Sequence, residues 1–142
     1  MALGKELINE KGVKTTYHRI DSISMVEGIK VIVKSYTDES YRQQEKENEA
    51  LIEKQEAIKA ELQIEMEKEG EDYQKEKVIA LTEKNNAIGF PTVLDLAVFI
   101  HEFQYPFDKD TAISYEGVYQ KLKQEPIFYG SSDILEQDTV LN

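Results

Sequence analysis

The hydrophobic and polar positions of the chain divide it into three zones. Residues 1–38 and 87–135 hold most of the β-branched and aromatic residues, whereas residues 39–86 are rich in Glu, Lys and Gln. A length of 142 residues suits one domain. The pattern therefore predicts a single α+β domain, in which 39–86 is a charged helical insertion between two β-rich parts and 137–142 is a frayed tail.

The first zone has the pattern of two paired strands. Apolar and polar residues alternate with the period of a strand that has one side in water, and the inward positions are Val13, Thr15 and Tyr17. The apolar positions that share one side of the next strand are Ile29, Val31 and Val33. The dipeptide Glu27-Gly28 lies between these strands and ends in Gly, so it predicts a hairpin turn.

The middle zone is predicted to be mainly helical, because good helix formers dominate residues 42–68. A narrow apolar stripe at spacings of seven, four and four consists of Leu51, Ile58, Leu62 and Met66. We call these four residues the interaction stripe and expect them to contact another helix, within the chain or in a second subunit. A strand over 58–66 stays open, because apolar residues also alternate there. Gly70 and its acidic neighbours should end the helix, and a second helix is predicted over 73–84.

The third zone contains one ambiguous segment and one clear helix. Residues 93–103 are apolar at both odd and even positions, so they fit either a buried strand or a buried helix. Pro106 should end this element. An amphipathic helix should follow, with Asp110 as its N-cap and Pro126 beyond its end. The residues expected on its apolar face are Ala112, Tyr115, Val118, Tyr119 and Leu122.

Composition excludes several classes of function. The net charge of −11 argues against a duplex nucleic acid as partner, because neutralising phosphates requires clustered Lys and Arg. The longest apolar run, residues 96–100, is far shorter than the roughly 20 residues of a membrane span, and the first residues lack the apolar core of a signal peptide. The absence of Cys excludes disulfides and thiolate nucleophiles. We therefore expect no nucleic acid partner, no membrane insertion and no signal peptide.

No pattern of residues predicts catalysis or a cofactor. His18 and His101 lie far apart in sequence without metal-ligand spacing, so they are expected to be ordinary strand histidines. Asp95 and Glu102 are the two acids with a case for burial, and structural roles suit them better than general acid–base catalysis. No phosphate-binding loop or nucleophile elbow is present. The sequence thus predicts a non-enzymatic protein with no catalytic, cofactor-binding or metal-binding residues.

Two terminal motifs point to a family. The early one reads Gly12-Val13, then Tyr17-His18-Arg19-Ile20. The later one comprises Tyr115, Tyr119, Leu122-Lys123, Pro126, Phe128, Gly130 and Asp133. Together they resemble small virion proteins encoded in the tail modules of siphophages that infect Gram-positive bacteria. The chain departs from that pattern at Ser131, where Ala is usual, and the long charged zone between the motifs has no counterpart in it.

This resemblance implies a structural component of a phage tail tip or baseplate. The implied fold is an antiparallel β-sandwich decorated by helix, similar to the shoulder domain of lactococcal phage receptor-binding proteins. Combined with the residue patterns above, it predicts a β-sandwich-like body with a charged helical insertion and a C-terminal amphipathic helix. The implied partners are other tail and baseplate proteins and further copies of the chain, because tail tips are built with three- or sixfold symmetry; a homo-oligomer is expected, with a trimer as one option. Such a protein assembles in the host cytoplasm, resides in the virion and helps to anchor the host-adsorption apparatus.

The acidic middle zone supports an alternative from another class. A row of carboxylates can imitate a nucleic acid backbone and occupy a basic host or phage protein. In this alternative the chain is an acidic cytosolic inhibitor, and its binding would depend on Glu53, Glu56, Glu61 and Glu65.

Overall fold

A computed structural model describes residues 1–25, 27–106 and 114–135 of the chain. These residues divide into two compact units. The sheet unit consists of residues 1–42 and 96–135, and the helical unit consists of residues 43–95. The helical unit begins four residues after the start of the predicted insertion and ends nine residues after its end.

The described residues form one antiparallel sheet and three α-helices, which confirms the predicted α+β class. The strands are β1 (Ala2–Ile8), β2 (Lys14–Ser24), β3 (Ile29–Tyr36), β4 (Phe99–Tyr105) and β5 (Ser132–Ile134). The helices are α1 (Glu39–Glu67), α2 (Lys75–Ile88) and α3 (Tyr115–Leu122). Short 3-10 turns cover Gly70–Asp72 and Pro126–Phe128. The strand order is β4-β3-β2-β1-β5, so these strands lie side by side and do not form the two facing sheets of a sandwich.

The predicted hairpin is confirmed as the pairing of β2 with β3. The register runs from Tyr17 opposite Tyr36 to Ser24 opposite Lys30, with an irregularity between Ile20 and Ser22. Gly28 in the turn has a φ of 129°, and a Cβ placed there would lie 2.9 Å from the carbonyl oxygen of Tyr105. Glycine is therefore required where the hairpin meets the end of β4.

One face of the sheet carries the main core of the sheet unit. Its apolar residues from the sheet are Leu3, Ile20, Ile29, Val31 and Val33, and those that cover them are Val118, Tyr119, Leu122 and Phe128. The Tyr119 hydroxyl accepts a hydrogen bond of 2.9 Å from the amide of Ile20. This bond links α3 to β2 at the irregularity in the strand, where a ladder bond is interrupted.

The amphipathic helix is confirmed, but its first turn differs from the prediction. Val118, Tyr119 and Leu122 are buried, whereas Tyr115 is 57% exposed. The N-cap is Ser114, whose Oγ accepts a hydrogen bond from the amide of Gly117. The proposed cap Asp110, the face residue Ala112 and the tail 137–142 lie outside the described residues.

His18 joins three strands from the interior of the sheet unit. Its Nε2–H donates to the carbonyl oxygen of Lys5 on β1 at 2.8 Å, so the proton lies on Nε2. Its Nδ1 therefore accepts from the hydroxyl of Ser35 on β3, at 2.7 Å. The ring also packs on Phe128 with centroids 5.1 Å apart. His18 and Ser35 are both 0% exposed, so a neutral imidazole with both nitrogens satisfied lies in the core.

The remaining differences concern where elements begin and end. Residues 58–66 are helical, which settles the open alternative, and α2 continues four residues past the predicted end at Lys84. Residues 91–97 have no regular structure, and the ambiguous apolar segment becomes a strand only from Phe99. Strands β1 and β5 were not singled out from the sequence.

Acidification is expected to weaken the sheet unit before its carboxylates titrate. Burial lowers the pKa of His18 and of His101 from 6.5, so below this value the unfolded chain binds protons that the folded chain does not. The free energy of unfolding should fall as the pH drops below about 6.5, by at most about 1.4 kcal/mol per pH unit for each histidine. Urea denaturation at successive pH values measures this slope.

The His18→Gln variant separates the contribution of His18 from the rest. The slope should flatten in this variant, whatever its absolute stability. His101→Gln is the matched control and should flatten the slope less, because the His101 ring is only half-buried. Identical slopes in the wild type and in His18→Gln would contradict the prediction.

Candidate interaction surface of the helical unit

The interaction stripe is only partly brought together on α1. Ile58 is buried and Leu51 and Leu62 are half-buried, but Met66 is 61% exposed. The residues on the covered face of α1 follow one another at spacings of four, three, four and three, as in a coiled coil. We call this face the seam, and its residues are Leu51, Gln55, Ile58, Leu62 and Glu65. Glu65 therefore takes the position that the prediction gave to Met66.

Glu65 lies in the seam because two lysines neutralise it. Its Oε1 accepts hydrogen bonds from Lys77 at 2.8 Å and from Lys68 at 2.9 Å, while its side chain is only 4% exposed. These two bonds, the one from Lys77 first, hold the pKa of Glu65 below its usual value, and Glu65 in turn raises the pKa of Lys77. The other oxygen, Oε2, is buried without a hydrogen-bond partner among the described residues. The sequence signal for this cluster was weak, because Lys77 is twelve residues from Glu65.

The helix α2 covers the second half of α1. Lys77, near the start of α2, contacts Glu65, and the carbonyl of Gly89 just after α2 accepts a 2.7 Å hydrogen bond from Gln55. The two helices therefore run antiparallel. Helix α1 has 29 residues and α2 has 14, so their lengths are about 43 Å and 21 Å at 1.5 Å per residue.

Near Leu51, the first residue of the interaction stripe, α2 does not fully cover the seam. An open groove of about 540 Å³ is lined by Leu51, Lys54, Ile58, Lys84, Ala87 and Ile88. Two stripe residues thus contribute apolar walls to a groove, and two lysines contribute positive charge to it. A groove of this kind can take an apolar side chain with an acidic neighbour from another chain.

Directly after α2 the helical unit exposes an apolar segment. Phe90 is 96% exposed, Val93 80% and Leu94 41%. The segment is held at Thr92, whose carbonyl accepts a hydrogen bond of 2.5 Å from Asn48 on α1. Exposed aromatic and aliphatic side chains on a short anchored segment are typical of surfaces that other proteins cover.

The acids expected to be buried are exposed, and others are buried instead. Asp95 and Glu102 are both exposed, so the case for burying them was wrong. Glu45 and Glu65 on α1 are 1% and 3% exposed. The apolar neighbours of Asp95 and Glu102 in sequence do not cover them, because residues 91–97 are irregular and the side chain of Glu102 lies on the sheet face opposite the core.

The two histidines come close in space without forming a visible reaction centre. Both ring systems pack on Phe128, at centroid distances of 5.1 Å for His18 and 6.0 Å for His101. Ser35 and His18 have the hydrogen bond of a nucleophile and its base, but neither is accessible to a substrate in this fold. Within the described ranges no three His, Asp or Glu side chains are arranged to hold a metal ion.

None of the helices in the described part of the chain combines the length and the apolar character that crossing a bilayer requires. Comparison with protein-family models, with curated proteins and with solved structures found no match.

Replacing Glu65 by Gln is expected to destabilise the helical unit, because two lysines then face a neutral amide. The loss should be present at neutral pH, where Glu65 of the wild type is ionised. It should shrink as the pH falls below about 4.5, because the wild-type carboxylate then becomes protonated and neutral like the amide of the variant. Urea unfolding followed by circular dichroism at 222 nm measures it.

Glu61→Gln is the matched control for this change. Glu61 lies one turn earlier, 3.8 Å from Lys77, and its side chain is 53% exposed. It should therefore lose much less stability than Glu65→Gln. Equal losses in the two variants would mean that the seam position of Glu65 has no special role.

Proposed function

We propose that this protein is a non-enzymatic structural component of a phage tail tip or baseplate, located in the virion, where it binds other tail proteins and further copies of itself. The observation that carries the proposal is the open groove beside the interaction stripe. The terminal motifs support the phage assignment, and the groove supports the mode of action.

The difference in length between α1 and α2 explains why the seam is only partly covered in a single chain. Helix α2 covers α1 from about Gln55 to Glu65, so α1 continues beyond its partner. Short amphipathic helices gain most of their stability from packing rather than from propensity. A further helix from another subunit would fill the groove and bury Leu51 and Ile58 more completely.

The exposed segment after α2 supplies the second part of this surface. Phe90 and Val93 are large apolar residues that the described residues leave almost fully exposed. At the centre of a protein interface, truncating a residue that is a hot spot costs about 2 kcal/mol of binding or more. Copies with a net charge of −11 repel one another, so association needs such local apolar contacts.

The burial of Ser35 and His18 supports the non-enzymatic part of the proposal. Their hydroxyl and imidazole form the hydrogen bond of a nucleophile with its base, and the core covers both. Their hydrogen bonds have a structural purpose, since they join β1, β2 and β3.

One observation favours the acidic inhibitor as a second candidate. Glu49, Glu53 and Glu56 follow the spacing of one helix face, and that face is exposed on the side of α1 opposite the seam. Glu65 does not belong to this acidic surface, because it lies in the seam with two lysines. Binding to a basic protein that duplex DNA displaces would support the inhibitor over the tail protein.

Light scattering after size-exclusion chromatography tests the proposed mode of association. The wild type should exceed the monomer mass of 16.4 kDa, increasingly so at higher concentration. The variants Leu51→Gln and Phe90→Ser/Val93→Ser should raise the dissociation constant by about tenfold or more while keeping the circular dichroism spectrum.

Leu135→Ser is the matched control, because Leu135 is 82% exposed but lies in the sheet unit. It should leave the mass unchanged. A wild type that stays monomeric at all concentrations and does not bind purified tail proteins would contradict the proposed function.

A further inference from the structure

The sheet unit has a pocket at the end of the sheet where β1 ends and where β2 and β4 begin. Its volume of about 600 Å³ falls within the roughly 300–1,000 Å³ of sites for small organic molecules. All the residues that line it belong to the sheet unit, so it shares no residue with the groove of the helical unit. We call it the sheet-end pocket.

Apolar side chains form much of the wall of the sheet-end pocket. They are Leu7 and Ile8 from β1, Phe99 and Ile100 from β4, and Ile127. Ile8 is 64% exposed and Ile100 is 62% exposed, so the folded chain leaves this wall open. The rings of Phe99 and His101 follow each other along β4, with centroids 6.4 Å apart. Covering such a wall with an aromatic body is favourable, because it removes apolar area from water and adds ring contacts.

Thr15 brings an unpartnered hydroxyl to the sheet-end pocket. The residue lines the pocket and is only 2% exposed, yet its Oγ1 makes no hydrogen bond with any residue that the structure describes. Its Oγ1 is also not one of the fully enclosed polar atoms of these residues, so the small area that Thr15 exposes includes the hydroxyl. Burying a hydroxyl without a hydrogen bond costs free energy, so Thr15 favours a ligand that can form one.

His101 supplies a second hydrogen-bonding group to the same pocket. Its half-buried ring packs against Phe103 and Phe128, at centroid distances of 6.5 Å and 6.0 Å. In the described ranges of the chain, neither of its ring nitrogens has a hydrogen-bond partner. Burial lowers the pKa of His101, so at neutral pH the imidazole is neutral and has one donor and one acceptor.

The rim of the sheet-end pocket carries two opposite charges. Glu10 and Lys11 lie side by side in the turn between β1 and β2, and both line the pocket. This turn is fixed, because Oδ1 of Asn9 accepts hydrogen bonds from the amides of Lys11 at 2.9 Å and Val13 at 2.8 Å. The two charges cancel, so the rim does not favour a full charge of either sign on a ligand. A charged ligand would also lose its hydration, so the pocket favours an uncharged one.

We propose that the sheet-end pocket binds a small uncharged aromatic molecule with one hydroxyl group, that is, a phenol. Its ring would pack against Phe99 and the neighbouring isoleucines, and its hydroxyl would use the free hydrogen-bonding capacity of Thr15 and His101. A phenol can donate and accept at once, and its pKa of about 10 keeps it uncharged at neutral pH. This inference does not depend on the proposed function.

Nuclear magnetic resonance of the wild-type protein with para-cresol as the probe tests the proposal. The methyl signals of Ile8, Ile100 and Ile127 should shift along one saturating curve, whereas that of Ile79 in the helical unit should not move. Pocket signals that do not respond to para-cresol would overturn the proposal, and so would a response confined to Ile58 in the groove. Pocket signals that shift on dilution without the probe would assign the pocket to a second copy of the chain and would also overturn it.

The variant Thr15→Val removes the hydroxyl but keeps the shape of the side chain. It should weaken binding of para-cresol by about threefold to tenfold, the effect of one neutral hydrogen bond, and should not weaken binding of toluene, which lacks the hydroxyl. The matched control is Thr16→Val, because the Thr16 hydroxyl donates to the carbonyl of Thr37 at 2.9 Å and is not part of the pocket. The control should leave the affinity for both probes unchanged. Equal weakening of both probes in Thr15→Val would overturn the assignment to a phenol.

Two further measurements complete the test. His101→Phe keeps a ring at this position and removes both nitrogens, so it should also weaken binding of para-cresol and spare toluene. Titration with para-toluate, which carries a carboxylate in place of the hydroxyl, should give weaker binding than para-cresol. Tighter binding of para-toluate that is lost in Lys11→Gln would assign the pocket to an anionic ligand and overturn the proposal.

Discussion

The imidazole of His18 holds three strands together from a position that water does not reach. One nitrogen binds the backbone of β1, the other binds Ser35 on β3, and the ring packs on Phe128. An imidazolium would leave the core with an uncompensated charge, so the fold requires the neutral ring. In the same sheet, Leu3 of β1 lies opposite His18, and the other edge of β1 pairs with β5.

The elements with a clear period could be predicted from the sequence. The β2–β3 hairpin, α1 and α3 have strand or helix patterns that agree with their composition. Strand β1 could not be predicted, because Leu3 and Leu7 are four residues apart as on a helix, and Ala2 and Gly4 have low strand propensity. It is a strand because β2 and β5 pair with it on both sides.

The burial of polar residues in the seam could not be predicted from the sequence for a different reason. Glu65 is one of many glutamates on α1, and nothing local marks it as buried. Its burial results from Lys77, which only the turn at Gly70–Asp72 brings near. A buried ion pair adds little net stability, but it can fix the register of two helices. Together with Gln55 and Gly89 it sets how α2 lies on α1, and it leaves the groove beside Leu51 and Ile58 open.

We propose that another subunit completes the seam of the helical unit, whereas the sheet unit takes no part in this association. Amide hydrogen exchange, measured by mass spectrometry at increasing protein concentration, tests this claim most directly. Residues 51–66 and the segment after α2 should gain protection as the protein associates, while β2 and β3 keep the same protection throughout. Protection of the helical unit that does not change with concentration, or that changes equally in both units, would contradict the claim.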